Sequence, residues 1–399
     1  MKIVSFSRVV PFEGIPHAGG AYYHHHLNHL LTRHDVVIVA PNTPRNRSAV
    51  ERFQSNAEVI LVGNENPRIA VKWMLRIQAE LRPASAPFEV YRFIRENERL
   101  RKILRTADVV EFQWSEYSSL IGEVNNVNPK AKKIVVMHDV LQQKYQRRLA
   151  TDRAFKKRIR ALLAYVSAVL LEPRRLRQCD SIIVFSKKDK DLLEPARTRA
   201  SIVIVPPPLS IAHADGLASR DPFSVLFTGA MDRPENDQGI RWFIEKCWPS
   251  VRQIHPSATL TIAGAYPTEK LLELASQDPS ISVTGYVAEL EPYYIKSSLF
   301  VVPLFQGAGV KFKTISAMLH GLPVISTTVG AEGVGPPGLF GAISDEAGEF
   351  ALAVNRVLGD SFLWMEISEK SSEWASRTYG LGRFHECLDH AFDFPAEIS

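Results

Sequence analysis

Residues 300–334 constrain the fold of this chain more than any other stretch. Residues 300–304 are apolar and of strand length, a glycine loop follows at 306–309, and residues 311–319 have helical spacing. We expect Gly321 to end that helix and Pro323 to begin a second buried strand. Strand, loop, helix and strand form a right-handed βαβ unit whose helix N-terminus opens at the carboxyl end of the sheet. The segment therefore predicts an α/β fold with parallel strands.

The glycine loop of this unit is a candidate diphosphate site. Backbone N–H groups at a helix N-terminus attract anions, and Lys311 and Lys313 add positive charge there. Gly307 and Gly309 would let a phosphate approach the backbone closely. The same loop serves only tight packing in many α/β proteins, so these residues leave both interpretations open. The dinucleotide fingerprint fits poorly, because residues 307–312 lack its third glycine.

The segment resembles the donor-binding core of family-four retaining glycosyltransferases, and more narrowly their bacterial polysaccharide-type members. Their pattern is P-L-x-x-G-x-G-x-K-x-K-x-x-E-A-M-x-x-G-x-P-V, followed by G-x-E-G. The matching positions are Pro303, Leu304, Gly307, Gly309, Lys311, Lys313, Ala317, Met318, Gly321, Pro323, Val324, Gly330, Glu332 and Gly333. Two positions depart from it: the ribose-binding glutamate of the family falls on Ser316, and the earlier of its paired glutamates falls on Ala308.

The resemblance implies the GT-B fold, with two facing Rossmann-like domains and a C-terminal helix that crosses back to the first. It also implies roles for particular residues. The expected catalytic residues are His138 and Lys311. The expected donor phosphate site comprises Gly19, Gly20, Arg233, Gly307, Gly309, Val310, Lys311 and Lys313. The nucleoside would contact Tyr286, Val287 and Ser316, and the sugar would contact His138 and Glu332.

Four of these residues also have plainer interpretations. Gly19 and Gly20 lie at a strand-to-helix turn, where glycine is common without any ligand. His138 follows the predicted strand 134–137, and a histidine there is often a hydrogen-bonded core group. Arg233 is equally compatible with a solvated charge. The resemblance favours the functional interpretation of the glycines and of His138. Asp139 is a candidate helix cap.

The length of the chain predicts more than one domain. At 399 residues we expect an acceptor-side domain at 1–207, a linker at 208–222, a donor domain at 223–375 and a returning C-terminal segment at 376–399. Apolar residues make up 45% and charged residues 23%, as in soluble globular proteins. No apolar run reaches 18 residues, and the three cysteines are widely spaced. These features predict a cytoplasmic protein with reduced thiols.

The predicted function is transfer of a sugar from a nucleotide-sugar to an acceptor hydroxyl with retention of configuration, in polysaccharide or glycoconjugate biosynthesis. The nucleotide-sugar is a co-substrate, and no cofactor or metal is expected. The alternative is a binding protein of the same fold with impaired catalysis, because Ser316 replaces a carboxylate that holds the ribose. His25 and His29 have the i, i+4 spacing of some zinc sites, but a surface or packing role is favoured because no third ligand is evident.

Positive charge is concentrated at residues 144–177. This stretch contains eleven Lys and Arg residues against two acidic residues, and it is expected to be mostly helical. Nucleic-acid binding is disfavoured, because stacking aromatics do not alternate with the basic residues. The resembled family often uses lipid-linked acceptors. We therefore expect a sugar or lipid-linked acceptor and peripheral contact of residues 144–177 with the inner face of the plasma membrane.

Overall fold

The computed structural model describes residues 1–393 except 16, 65–72, 74–76, 78–83, 152–154, 195–197, 210–219 and 308–309. The chain forms two compact units. Unit 1 comprises Met1–Pro208 together with the segment that begins at Phe384, and unit 2 comprises Leu209–Arg383. The assignment of an acceptor side and a donor side to the two halves stays a prediction.

Unit 1 contains a seven-stranded parallel sheet. Its strand order is β3-β2-β1-β4-β5-β6-β7. The strands are β1 Lys2–Phe6, β2 Asp35–Pro41, β3 Glu58–Val62, β4 Val109–Gln113, β5 Lys132–Val136, β6 Ser181–Val184 and β7 Ser201–Ile204. Most are buried along nearly their whole length, as expected for a parallel sheet covered on both faces.

The described helices of unit 1 lie between these strands. They are α1 Ala18–Leu31, α2 Pro44–Arg52, α3 Phe88–Glu96, α4 Glu98–Arg105, α5 Ile121–Val127, α6 Leu141–Thr151, α7 Phe155–Leu176 and α8 Lys187–Leu193, with a 3₁₀ turn at Ser115–Leu120. Residues 71–81, whose spacing predicts a helix, lie almost entirely outside the described residues. Residues 88–104 are also expected to be helical, but they form two helices rather than one: the side chain of Asn97 caps α4 by accepting from the Leu100 N–H at 2.9 Å, which separates α4 from α3.

Unit 2 contains a six-stranded parallel sheet with the order β10-β9-β8-β11-β12-β13. Its strands are β8 Ser224–Thr228, β9 Thr259–Ala263, β10 Ile281–Gly285, β11 Leu299–Val302, β12 Val324–Ser326 and β13 Ala342–Ile343. Its helices are α9 Pro234–Lys246, α10 Trp248–Ile254, α11 Glu269–Ser276, α12 Glu291–Lys296, α13 Phe312–Leu319, α14 Thr328–Ala331, α15 Ala347–Gly359 and α16 Ser361–Tyr379, with a 3₁₀ turn at Pro337–Leu339. The last helix, α17 Leu381–Phe392, continues into unit 1.

The βαβ unit predicted from residues 300–334 is present as β11, α13 and β12. The two strands pair in parallel, with Phe300 opposite Val324. Gly321 has a φ of +68°, which ends α13 in the left-handed conformation that glycine favours. The predicted α/β fold class is confirmed.

Strand order defines where a ligand would meet each sheet. In unit 1 the order reverses at β1, which lies between β2 and β4, and in unit 2 it reverses at β8, which lies between β9 and β11. Ligands of open α/β sheets bind outside the carboxyl ends of strands at such switch points. The residues that follow β1, β4, β8 and β11 are therefore the first candidates for a site.

Arg220 anchors the start of unit 2. Its guanidinium is buried and donates to the carbonyl oxygens of Tyr294 and Ser297, both at 2.8 Å, of Ile295 at 3.1 Å and of His320. Burial lowers the pKa of Arg220 to about 10. Arg220 lies in the stretch that the sequence suggested was a polar linker, yet it ties α12 to the end of α13.

Candidate functional site

His138 lies directly beyond β5, at the carboxyl edge of the unit 1 sheet. Its ring stacks on Trp114, with centroids 4.3 Å apart and planes 7° apart. Tyr22 and Phe185 meet it edge-on at 5.5 Å and 5.0 Å. Burial lowers the pKa of His138 to about 3 despite the attraction of Asp139. The imidazole is therefore neutral at physiological pH.

A buried polar network lies beside this ring and is centred on Glu111. Glu111 Oε1 accepts from the hydroxyl of Ser5 at 2.5 Å, and Ser5 Oγ lies 2.6 Å from Tyr23 Oη. Glu111 Oε2 lies 2.8 Å from His26 Nε2. Burial alone would raise the pKa of Glu111, but His26 and the hydrogen bonds lower it overall. Glu111 is therefore an ionised carboxylate in the core of the unit.

Gln113 connects Glu111 to His138. Its Nε2 donates to Glu111 Oε1 at 3.3 Å, and its Oε1 lies 3.2 Å from His138 Nε2. A carboxylate can only accept, so the amide NH₂ must face Glu111 and the amide oxygen must face the ring. That oxygen needs a donor, which fixes the proton of His138 on Nε2. Nδ1 is then an acceptor.

Gly19 lies over that acceptor atom. A Cβ at Gly19 would come within 3.0 Å of His138 Nδ1 and 3.3 Å of Trp114, so a side chain here would press on the ring. At Gly20 a Cβ would come within 2.5 Å of Ile15. The Gly20 N–H donates to Nδ1 of His17, the N-cap residue of α1, at 2.9 Å. Tight packing thus explains both glycines, and the structure places Gly19 beside His138.

Asp139, the neighbour of His138, has a charged partner. It forms an ion pair with Lys144 at 3.0 Å, and Lys144 also lies 3.2 Å from Glu116. Lys144 is therefore neutralised by two carboxylates and is not part of an exposed basic surface, although the sequence grouped it with residues 144–177.

In unit 2, Lys313 lies in the first turn of α13. Its Nζ donates to Asn236 Oδ1 at 2.8 Å and lies 4.3 Å from the centre of the Phe227 ring, at the carboxyl end of β8. Burial lowers the pKa of Lys313 to about 7; Glu235 opposes this effect, and the charges of Arg233 and Lys311 add to it. A group of mutually repelling cations at one place is energetically costly unless an anion joins it.

Lys311 is the N-cap residue of α13 and is buried. A Cβ built on Gly307 would lie 3.9 Å from Lys311 Nζ, so this ammonium reaches back along the glycine loop. Val310, between the loop and the helix, is also buried. Arg233, Lys311 and Lys313 thus add charge to the N-terminus of α13, where the helix dipole is positive. Gly309 lies outside the described residues.

The remaining predicted residues lie along the same edge of unit 2. Ser316 is one turn beyond Phe312 on α13, and its carbonyl accepts from the His320 ring at 2.7 Å. Glu332 follows α14, beyond the end of β12. Tyr286 is 74% exposed and Val287 half-buried just after β10, two strands from β8. The roles of these four residues stay predictions.

Sequence reasoning missed the polar residues that hold the predicted ones. Glu111 and Gln113 alternate with apolar residues in β4, and both are fully buried. Polar side chains two residues apart in a strand predicted to be buried were the available signal. Asn236, which positions Lys313, carried no comparable signal, because asparagine is common near a helix start.

The histidines of α1 have structural partners. His29 Nε2 lies 2.6 Å from Asp389 Oδ1, and the His29 ring stacks on His385 at 4.1 Å. Within the described residues, no group of three or more His, Cys, Asp or Glu side chains is placed to hold a metal ion. None of the described helices is both long and apolar enough to cross a membrane.

Comparison with known proteins agrees with this geometry. The family model for Glycosyl transferases group 1 matches residues 222–360, which lie in unit 2. The crystal structure of Anabaena Alr3699/HepE in complex with UDP and glucose superimposes with a TM-score of 0.70 at 13% identity, over 98% of this chain and 99% of the other. WaaG, a glycosyltransferase involved in lipopolysaccharide biosynthesis, gives 0.63 at 14% identity over 98% and 99%.

The chain has the GT-B fold. A third structure of this fold, the pneumococcal O-GlcNAc transferase GtfA with UDP and GlcNAc, gives a TM-score of 0.66 at 12% identity over 98% of this chain and 99% of the other. Among curated proteins, an uncharacterised 44.6 kDa protein in the cps region of Klebsiella pneumoniae is 34% identical over 119 residues. That match covers 28% of this chain and 31% of the relative, so this GT-B chain spans about a third of the relative's length.

Proposed function

We propose that the protein is a retaining glycosyltransferase that uses a nucleotide-sugar donor and acts in polysaccharide biosynthesis. One observation carries the proposal: Arg233, Lys311 and Lys313 gather at the N-terminus of α13, inside the segment that matches group 1 glycosyl transferases. Such a cluster is suited to a diphosphate, which carries negative charge before transfer and gains more as it leaves.

The chemical task is to stabilise the departing nucleoside diphosphate while an acceptor hydroxyl attacks. In the proposed site Lys311 and Lys313 contact the phosphates, with Arg233 beside them and the backbone of Gly307 and Val310 close by; the resemblance adds Gly309. Fixed cations of this kind supply the charge that a metal ion supplies in other transferases, so we propose metal-independent catalysis without a cofactor. Retention of configuration rests on the family resemblance. Two similar structures contain UDP, which makes UDP-sugars the first donors to test.

The remaining roles in this proposal follow the resemblance. Tyr286, Val287 and Ser316 face the nucleoside, and Glu332 contacts the sugar. His138 contributes its neutral ring, with Nδ1 as an acceptor for a sugar hydroxyl. By the resemblance, Gly19 and Gly20 also belong to the donor phosphate site.

The acceptor we propose is lipid-linked, and the enzyme is peripheral at the inner face of the plasma membrane. Support comes from the cps-region relative and from the basic residues of 144–177 other than Lys144. A hexosyltransferase that extends a lipid-linked saccharide needs access to a bilayer surface, and positive charge favours that access.

The experiment that tests the proposal is nucleotide release from UDP-glucose and UDP-GlcNAc, with and without candidate acceptors. Calorimetry with UDP alone separates binding from turnover. Binding with measurable release, stimulated by an acceptor, supports the transferase.

The second candidate is a nucleotide-sugar-binding protein with impaired catalysis, which Ser316 favours. A carboxylate here would accept from both ribose hydroxyls, whereas serine makes at most one short contact. We expect Ser316→Glu to tighten UDP binding by about fivefold or more, in line with the energy of a hydrogen bond to a charged group, with Ser316→Ala as the matched control. UDP binding that is weaker or unchanged in Ser316→Glu would show that the ribose is held in another way. UDP binding without release by either protein would favour the binding function.

A further inference from the structure

Helix α7, Phe155–Leu176, has an inverted pattern of burial. Up to residue 170 its buried face is made of small residues, with Ala164 fully buried and Ala161 and Ala168 nearly so. The large apolar residues of this part instead face outward. We call this exposed set the α7 stripe: Phe155, Ile159, Leu162, Leu163, Val166, Val169 and Leu170, which are between 37% and 77% exposed. A helix that only packed on the sheet would bury its large residues.

The α7 stripe is continuous. At 3.6 residues per turn, its seven members fall within an arc of about 120° of the helix surface. Its members extend from residue 155 to residue 170 of the 22-residue helix, so the stripe is about 23 Å long. Scattered exposed apolar residues are ordinary, whereas a contiguous strip of this length marks an interaction surface.

Basic residues border the α7 stripe on both sides. Arg158 lies at one edge of the arc, and Lys156, Arg160 and Arg174 lie at the other, all of them exposed. The single acidic residue between 155 and 176 is Glu172, which is buried. Its carboxylate accepts from the backbone N–H groups of Leu141 and Gln142, at the start of α6. The outward surface of the helix is therefore apolar in the middle and uniformly positive at its margins.

We propose that α7 lies in the plane of an anionic bilayer, with the α7 stripe inserted at the boundary between headgroups and acyl chains. Helices that bind in this way combine an apolar arc with bordering Lys and Arg residues, whose charges stay at the level of the phosphates. A second copy of the chain fits less well, because a symmetric contact would place like charges opposite one another. The contact with the bilayer is inferred from α7 alone, whereas the delivery of a lipid-linked acceptor also rests on the proposed function.

Sedimentation with vesicles tests the insertion. Wild type is expected to bind phosphatidylcholine vesicles containing 30% phosphatidylglycerol at least tenfold more tightly than phosphatidylcholine alone, roughly the effect of one or two basic residues near an anionic surface. The stripe variant is Leu162→Asn, Leu163→Asn, Val166→Asn and Leu170→Asn. The charge variant is Lys156→Glu, Arg158→Glu and Arg174→Glu. Each is expected to lose at least tenfold in affinity, in line with the loss of buried apolar area or of several charges.

Matched controls change exposed residues of unit 2. Leu352→Asn with Phe362→Asn removes apolar surface, and Lys246→Glu, Lys270→Glu and Arg356→Glu changes charge by the same amount. Both controls are expected to bind vesicles like wild type. Circular dichroism checks that every variant is folded.

A label at position 166 reports the depth of insertion. The three cysteines are buried, so a Val166→Cys variant can be labelled selectively with an environment-sensitive dye, whose emission should shift to the blue on anionic vesicles. Wild-type binding that is equal on neutral and anionic vesicles, or a stripe variant that binds like wild type, would overturn the proposal. So would a dimer in light scattering that only the stripe variant dissociates. UDP binding by the stripe variant is expected to be unchanged, which keeps this test separate from that of the proposed function.

Discussion

At the scale of single residues, two side chains have ionisation states far from their ordinary ones. His138 is enclosed by aromatic rings and held by Gln113, so it stays neutral. Lys313 is buried beside Arg233 and Lys311, so its pKa falls to about 7. In both cases burial shifts the pKa toward the neutral form. Both states can be measured.

The neutral state of His138 makes a prediction about acid stability. Its pKa is about 3 in the folded chain, against 6.5 for the ordinary group. The unfolded chain therefore binds more protons between these values, and the free energy of unfolding should fall as the pH drops through this window. Each pH unit below about 6 costs about 1.4 kcal/mol from this residue.

The matched variant is His138→Phe, which keeps a ring against Trp114 and cannot titrate. Denaturant unfolding at pH 6 and pH 4 should show that wild type loses roughly 2 kcal/mol more than this variant. Equal losses would mean that His138 is charged in the folded chain.

The pKa of Lys313 predicts proton uptake on nucleotide binding. Near pH 7 the free side chain is about half protonated, since its pKa is about 7. A diphosphate favours the charged form and raises this pKa, so UDP binding at pH 8 should take up close to one proton and weaken as the pH rises. Calorimetry in two buffers of different ionisation enthalpy measures the uptake. Lys313→Arg, which stays charged, should show no proton uptake. Identical binding heats for wild type in both buffers would contradict the lowered pKa of Lys313.

At the scale of elements, the part of the fold that the sequence predicted is built from residues close together in the chain. The β11–α13–β12 unit spans residues 299–326, and the spacing and glycines of residues 300–334 predicted it. The network around Glu111 was not predictable in this way. Ser5, His26 and Glu111 come from β1, α1 and β4, and only the order of the sheet brings them together. A pattern in one segment cannot show a contact with residues 85 or 106 positions away.

Arg220 makes a prediction at the same scale. Its guanidinium satisfies buried carbonyls at the ends of α12 and α13, which would otherwise lack donors. Arg220→Met keeps much of the volume and removes the donors, and we expect a loss of about 2–4 kcal/mol in the free energy of unfolding. Urea unfolding measures it, with Arg252→Met as a control, because the half-buried Arg252 donates to the Pro256 and Ala258 carbonyls of its own loop. A loss below 1 kcal/mol in Arg220→Met would contradict the anchoring role.

At the scale of the whole molecule, two parallel sheets of the same kind are built from one chain, and each has its polar residues at the carboxyl edge. Unit 1 presents His138 with a defined acceptor atom, and unit 2 presents three cations at a helix N-terminus. Length, the parallel-strand pattern and the family resemblance predicted this architecture correctly. The identities of the sugar, the base and the acceptor depend on the shapes of pockets that no local pattern encodes.

The most direct test of the account is nucleotide release from a panel of UDP-, GDP-, ADP- and TDP-sugars, measured for wild type and Lys311→Ala. Wild type should release nucleotide from at least one donor, faster when a lipid-linked saccharide is present. Lys311→Ala should remain folded and be at least tenfold slower, because a charge-assisted contact to phosphate contributes about 1.5–3 kcal/mol. Release from no donor, or equal rates for the two proteins, would contradict the proposed transferase site at α13.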